Sequence, residues 1–165
     1  VKFNYNIFYI KRIILLFWAL YFSIVLASNI TDGMRAAGWL PADIAFASGN
    51  YEMVRQVTAV YHTREWLVAI LYLGVLAWQG WAAWLFWRAY RSIGLHKSEW
   101  KQPVYQAFTI SLLLWMTFLL IDELFIAYEV TDLERIHLLL IITQLVTLFA
   151  VEFLPEDVGT SQERL

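Results

Sequence analysis

Along the chain, apolar positions gather into four long blocks separated by three polar connections. The first block covers about residues 7–28 and the second, wholly uncharged, 66–87. The third, 103–125, is uncharged from Pro103 to Ile121, and the fourth spans 132–153. Each block is close to the roughly 20 residues that a helix needs to cross about 30 Å of hydrocarbon. The pattern predicts an all-α fold, an integral membrane four-helix bundle, in a single transmembrane domain of residues 1–165. A long outer loop, 29–65, and a short cytoplasmic loop, 88–102, join the spans.

Local signals set the helix ends. Asn29, Thr31 and Asp32 follow the first block, where polar side chains can satisfy carbonyls that a helix end leaves unpaired, and Gly33 offers a left-handed stop. Pro103 suits only a first helical turn. In "TDLERIH", Thr131 and Glu134 have capping-box spacing, which starts the last helix at about Asp132, and Pro155 ends it after Phe153. Lys2, Lys11 and Arg12 ahead of an apolar run ending in "VLAS" imitate a secretory signal. An uncleaved first helix, with Lys11 and Arg12 snorkelling toward headgroups, is the expectation.

A structureless loop as long as 29–65 would be unusual, so the loop is expected to contain helix. "LPADIAFASGN" reads as one or two helical turns opened by Pro41 and closed by Gly49. Met53, Val54, Val57, Val60 and Tyr61 then recur at helical spacing, opposite Glu52, Arg55, Gln56 and His62. That amphipathic segment suits the membrane surface or the mouth of the bundle.

Composition agrees with the pattern: 61% of the 165 residues are hydrophobic and 16% are charged. The absence of cysteine excludes disulfides, thiolate-bound metals and iron–sulfur clusters, leaving His, Asp, Glu and neutral oxygens as donors. Charge adds a direction. Lys2, Lys11, Arg12, Arg88, Arg91, Lys97, Lys101 and Arg164 lie on the side of the termini, against Arg35, Arg55, Arg64 and Arg135 on the other. Positive-inside logic places both termini in the cytoplasm. Asp32, Asp43, Glu52, Glu65, Asp122, Glu123, Glu129, Asp132 and Glu134 make the outer side acidic. No basic stripe suggests a nucleic-acid partner.

In "LAWQGWAAWLFW", Trp78, Trp81, Trp84 and Trp87 recur every third residue, so each ring slips back about 60° and the set spirals around the helix. Trp66, Trp84 and Trp87 suit the interfacial belts, while Trp78 and Trp81 lie deeper, against neighbouring helices or a partner subunit. Gly74, Ala77, Gly80, Ala82 and Ala83 let another helix approach. Gln79 sits within the same span, and Gln144 of the fourth span at comparable depth is its expected hydrogen-bond partner.

Candidate chemistry collects at the outer boundary. Asp122 and Glu129 are seven residues apart, and Glu134 and His137 have the i, i+3 spacing of carboxylate-bridged di-metal bundles. His62 and Glu65 repeat that separation in reverse. His62, Glu129, Glu134 and His137 are therefore the candidate ligands for an iron or another metal, and the two imidazoles for a haem. A metal is not the favoured reading, because a di-iron bundle needs two Glu-x-x-His pairs and Glu134 already serves as a capping residue.

The succession of "NITD" at Asn29 to Asp32, "SGNYEMVRQV", "QGWAAWLFWRA" and a last helix ending in "LPED" resembles small four-span integral membrane proteins of uncharacterised bacterial families. The resemblance implies a four-helix bundle in a bacterial inner membrane and carries no established activity. The loop before "SGNY" is longer here than in those families.

The leading expectation is a non-catalytic accessory or structural subunit of a larger membrane complex, with a respiratory or photosynthetic electron-transfer assembly as a candidate. Its partners would be lipid and other transmembrane subunits, with Gly74, Trp78, Gln79, Gly80, Trp81 and Gln144 as the residues of helix packing or partner contact. A small metal- or haem-binding redox protein is the alternative, and a transporter or channel protomer, which would need oligomerisation to enclose a pore, the third.

Overall fold

The computed structural model describes residues 7–93, 99–125 and 133–154. These form α1 (Ile7–Ala36), α2 (Asn50–Thr58), a 3-10 turn at Ala59–Tyr61, α3 (Glu65–Ser92), α4 (Lys101–Leu124) and α5 (Leu133–Phe153). Four helices, all but α2, are long and apolar enough to cross a membrane, so the chain is an all-α, multi-pass bundle. Consecutive spans pack side by side, α1 on α3, α3 on α4 and α4 on α5, while α1 and α5 meet along a thinner seam. Short α2 lies against α1 and α3 at one end, here termed the loop end.

The core occupies the opposite half of the bundle. Leu15, Trp18, Ala19 and Phe22 of α1 face Ala82, Leu85, Phe86 and Ala89 of α3, with Val104, Phe108, Leu114 and Trp115 of α4 closing the third side. Phe22 stacks on Phe86 with centroids 5.5 Å apart, and Phe86 meets Phe108 edge-on at 5.1 Å. Ala82 and Ala89, fully buried, give these rings room by letting the backbones approach. Lipid tails are as apolar as this core, so packing and interhelical hydrogen bonds, more than apolar burial, hold the spans together.

Several expected boundaries move. The first helix does not stop at Ser28. It continues through Asn29, Thr31, Asp32 and Gly33 to Ala36, and the left-handed residue is Gly38, with φ 75°. The polar residues are the reason: Asn29 and Asp32, three apart, share a face that is fully buried and fully engaged, so they prolong the helix rather than cap it. Gly33 serves a different end, because a Cβ there would lie 3.1 Å from the Tyr72 ring. At 30 residues, α1 is about 45 Å long and outlasts a 30 Å hydrocarbon core by several turns.

The segment after Pro41 is not helical. Between α1 and α2 the backbone makes turns, with one bond from Ile44 N–H to the Pro41 carbonyl at 3.3 Å, and regular helix starts only at Asn50. Within α2 the expected two-faced pattern holds, with Met53, Val54 and Val57 half-buried and Arg55 and Gln56 exposed. Helix α3 runs past Trp87 to Ser92, and α4 starts at Lys101 with Pro103 buried in its first turn. Glu129 and the Thr131 half of the proposed capping box lie outside the described residues.

Candidate functional site

The loop end holds a buried polar network built on α1. Asn29 Nδ2 donates to Gln79 Oε1 of α3 at 2.8 Å, and Asn29 Oδ1 accepts from Asn50 Nδ2 of α2 at 2.8 Å. One amide thus ties three helices together. Its own backbone carbonyl accepts the Tyr72 hydroxyl at 2.8 Å.

One turn further on, Asp32 is fully buried. A carboxylate removed from water is costly unless donors surround it. Arg35 Nη2 reaches Oδ1 at 2.5 Å, while Oδ2 accepts the Tyr51 backbone N–H at 2.7 Å and the Ser48 hydroxyl at 3.3 Å. The Tyr72 hydroxyl stands 3.4 Å from the same oxygen. Asp32 therefore caps a helix to which it does not belong. The residue in the N-cap position of α2 is Gly49, at φ 82°, which has no side chain to offer, and the positive end of α2 faces the α1 carboxylate.

Tyr51 extends the network to the start of α3 by donating its hydroxyl to Glu65 Oε1 at 2.7 Å, with its ring edge-on to Tyr72 at 5.1 Å. Burial, then the hydrogen bond from this hydroxyl to Glu65, pushes the phenol up from its ordinary value. On the exposed side of α2, ion pairing with Glu52 raises the Arg55 guanidinium further.

A second polar pair joins α4 to α5. Asp122 Oδ2 lies 2.6 Å from His137 Nδ1, and the imidazole is held between Trp115, stacked at 5.9 Å, and Phe118 at 5.2 Å. Sequence reasoning placed Asp122 with Glu129 and His137 with Glu134. The i, i+15 partnership between Asp122 and His137 has no local signature, since it depends on how α4 and α5 face one another.

Among the described residues, the metal and haem candidates have separate settings. His62 is an exposed, left-handed residue, φ 51°, ending the 3-10 turn, whereas His137 is committed to Asp122 between α5 and α4. Glu134 sits in the first turn of α5, and Glu129 lies outside the described residues. Among the described residues no three His, Asp or Glu side chains gather as a ligand set.

The packing residues also separate. Gln79 pairs with Asn29 and not with Gln144, whose Oε1 instead faces the Ser111 hydroxyl at 2.8 Å. The expected pairing fails because Gln79 faces α1 while Gln144 faces α4. Trp78 is half-buried and donates its indole N–H to the Ile110 carbonyl at 3.0 Å, while Trp87 donates to Ser23 at 3.0 Å. Trp81 and Trp84 point outward, as the spiral requires. Gly80 packs near Leu26, whereas Gly74 is exposed with nothing near its missing Cβ.

Chemically, the α1–α2–α3 network is closed: Asn29 uses both ends of its amide and Asp32 both oxygens, so its evident product is a fixed geometry for α2. No family model, curated protein or solved structure matches this chain.

Proposed function

We propose that the protein is a non-catalytic, structural subunit of a larger membrane assembly, seated in a bacterial inner membrane with both termini in the cytoplasm. The observation that carries this reading is an outward notch in the middle of α3. Gly74 and Ala77 are exposed there, no atom lies within 4 Å of a Cβ added to Gly74, and Ile70 and Leu73 flank the gap. Small residues on a lipid-facing surface let a second helix approach closely enough for backbone-level packing. The rigid attachment of α2 supports the same reading, because it fixes one shaped end for a neighbour to meet. The surplus of lysine and arginine at the other end supports the orientation.

The test is extraction from native membranes in mild detergent, followed by native electrophoresis of wild type and Gly74→Leu. A wild type that migrates in a heteromeric band, and a variant that leaves that band while remaining folded, is the expected result. A wild type that runs as a lone monomer overturns the proposal.

A further inference from the structure

At the end of the bundle away from α2, α3 and α4 part to leave an open groove of about 720 Å³. Its depth in the membrane follows from one hydrogen bond. Trp78, at the midpoint of the 28-residue α3, donates to the Ile110 carbonyl of α4, which fixes the register of the two antiparallel helices. Arg88 lies ten residues beyond Trp78 and Lys101 nine residues before Ile110. At 1.5 Å per residue these are displacements of about 15 Å and about 13.5 Å toward the same membrane face. Half of a 30 Å hydrocarbon core is about 15 Å, so both cations stand at the headgroup boundary of one leaflet while Trp81 and Ile110, deeper in the groove, stand among acyl chains.

The lining is graded in the same direction. Arg88 is exposed, with its guanidinium 5.8 Å from the Trp84 ring, and Lys101 bonds Glu152 at 2.7 Å. Glu152 answers Lys101, and the exposed Arg88 guanidinium adds positive charge to the rim. Gln106, part of the lining, has a buried Oε1 that meets no hydrogen-bond donor among the described residues. A buried acceptor of this kind is costly unless a donor reaches it. Below it, the exposed Trp81 ring and Ile110 offer an apolar wall.

We infer that this groove is a binding site for an anionic glycerophospholipid with a hydroxylated headgroup. The phosphate diester meets Arg88 and Lys101, a headgroup hydroxyl donates to Gln106, and an acyl chain lies along Trp81 and Ile110. Basic pockets between transmembrane helices select anionic headgroups in this way. A choline headgroup has no donor for Gln106, and an ethanolamine headgroup would bring its ammonium charge to a rim that already holds Arg88 and Lys101. The inference stands apart from the subunit proposal, which concerns the α3 notch at Gly74 and Ala77, neither of which lines the groove.

Native mass spectrometry of the full chain, delipidated in detergent and given equal amounts of phosphatidylglycerol, phosphatidylethanolamine and phosphatidylcholine with matched acyl chains, tests it. Phosphatidylglycerol adducts several-fold above the other two are expected in wild type. Arg88→Gln combined with Gln106→Leu should abolish that excess, and Arg91→Gln, outside the groove, should keep it. In vesicles, phosphatidylglycerol with brominated acyl chains should quench tryptophan fluorescence more than brominated phosphatidylethanolamine, and Trp81→Phe should reduce the difference. Equal retention of the three lipids, or an excess that survives the Arg88/Gln106 double change, overturns the inference.

Discussion

The Tyr51 backbone N–H of α2 lies 2.7 Å from the Asp32 carboxylate of α1, so a transmembrane helix supplies the cap that the surface helix lacks. Polar groups within an apolar span are expensive, and here the cost is offset by using them to fix a segment that few apolar contacts could hold. Helix α2 has nine residues, too few to persist alone in water, and gains its order from this docking.

Replacing Asp32 tests the cap directly. Asp32→Asn keeps the shape but turns one acceptor into a donor facing other donors, a loss of about 1–3 kcal/mol. Asp32→Ala also strips Arg35 of its partner and should cost about 3 kcal/mol or more. Tryptophan fluorescence during denaturant unfolding, with limited proteolysis of residues 37–49, reads both effects. The expected order of stability is wild type, then Asn, then Ala; an alanine variant as stable and as protease-resistant as wild type contradicts the role assigned to Asp32.

The four spans were legible because uncharged runs such as Trp66 to Trp87 leave a chain no other stable course. The polar residues were misread because local rules attach an amide or acid after an apolar block to the helix end. Asn29 and Asp32 obey a tertiary rule instead: their partners Gln79, Asn50 and Tyr51 are 50, 21 and 19 residues away. One clue was present, the i, i+3 spacing of Asn29 and Asp32, which puts both on one helix face. The Gln79–Gln144 expectation rested on matched depth alone, and depth does not say which helices are neighbours. For Asp122 and His137, periodicity located each residue at the correct end without revealing that they meet.

The Asn29–Gln79 bond should show measurable coupling. Asn29→Ala leaves Gln79 and Asn50 without their partner, and Gln79→Leu leaves Asn29 Nδ2 without an acceptor. The double replacement removes one side of each imbalance. It should therefore be less destabilised than the sum of the single changes, with a coupling of about 0.6–1.7 kcal/mol, as for hydrogen bonds between membrane helices. A double-mutant cycle on unfolding in detergent measures it. Strict additivity would mean that the two side chains contribute independently.

Two glycines in spans should respond oppositely to alanine. At Gly74 a Cβ meets no atom within 4 Å, so Gly74→Ala should stabilise the isolated protein by up to about 1 kcal/mol through helix propensity. At Gly33 the Cβ would stand 3.1 Å from Tyr72 Cε1, and Tyr72 is pinned by its hydroxyl bond to the Asn29 carbonyl. Gly33→Ala should gain nothing or lose stability. Thermal unfolding of the two variants side by side decides the point, and equal shifts in the same direction would mean that the Tyr72 ring is free to move.

The Tyr51–Glu65 bond predicts that the docking of α2 weakens in alkali. In the protonated form the hydroxyl donates to Glu65 Oε1; as a phenolate it would face a carboxylate of like charge. Burial and that hydrogen bond raise the folded-state value above the ordinary 10.0, with Arg55 acting weakly in the opposite sense. The folded protein therefore holds the phenolic proton at a pH where the unfolded chain has released it, and stability falls as pH rises. The contribution is fully present below pH 10, declines above it and is gone once the pH passes the raised folded value. Tyr51→Phe lacks both the bond and the titration, so it should be less stable than wild type at neutral pH, and the gap should close in alkali. Unfolding midpoints of the two proteins across this range, together with their difference absorbance for phenolate, supply the measurement. A gap that stays constant with pH would remove Tyr51 from the account of how α2 is held.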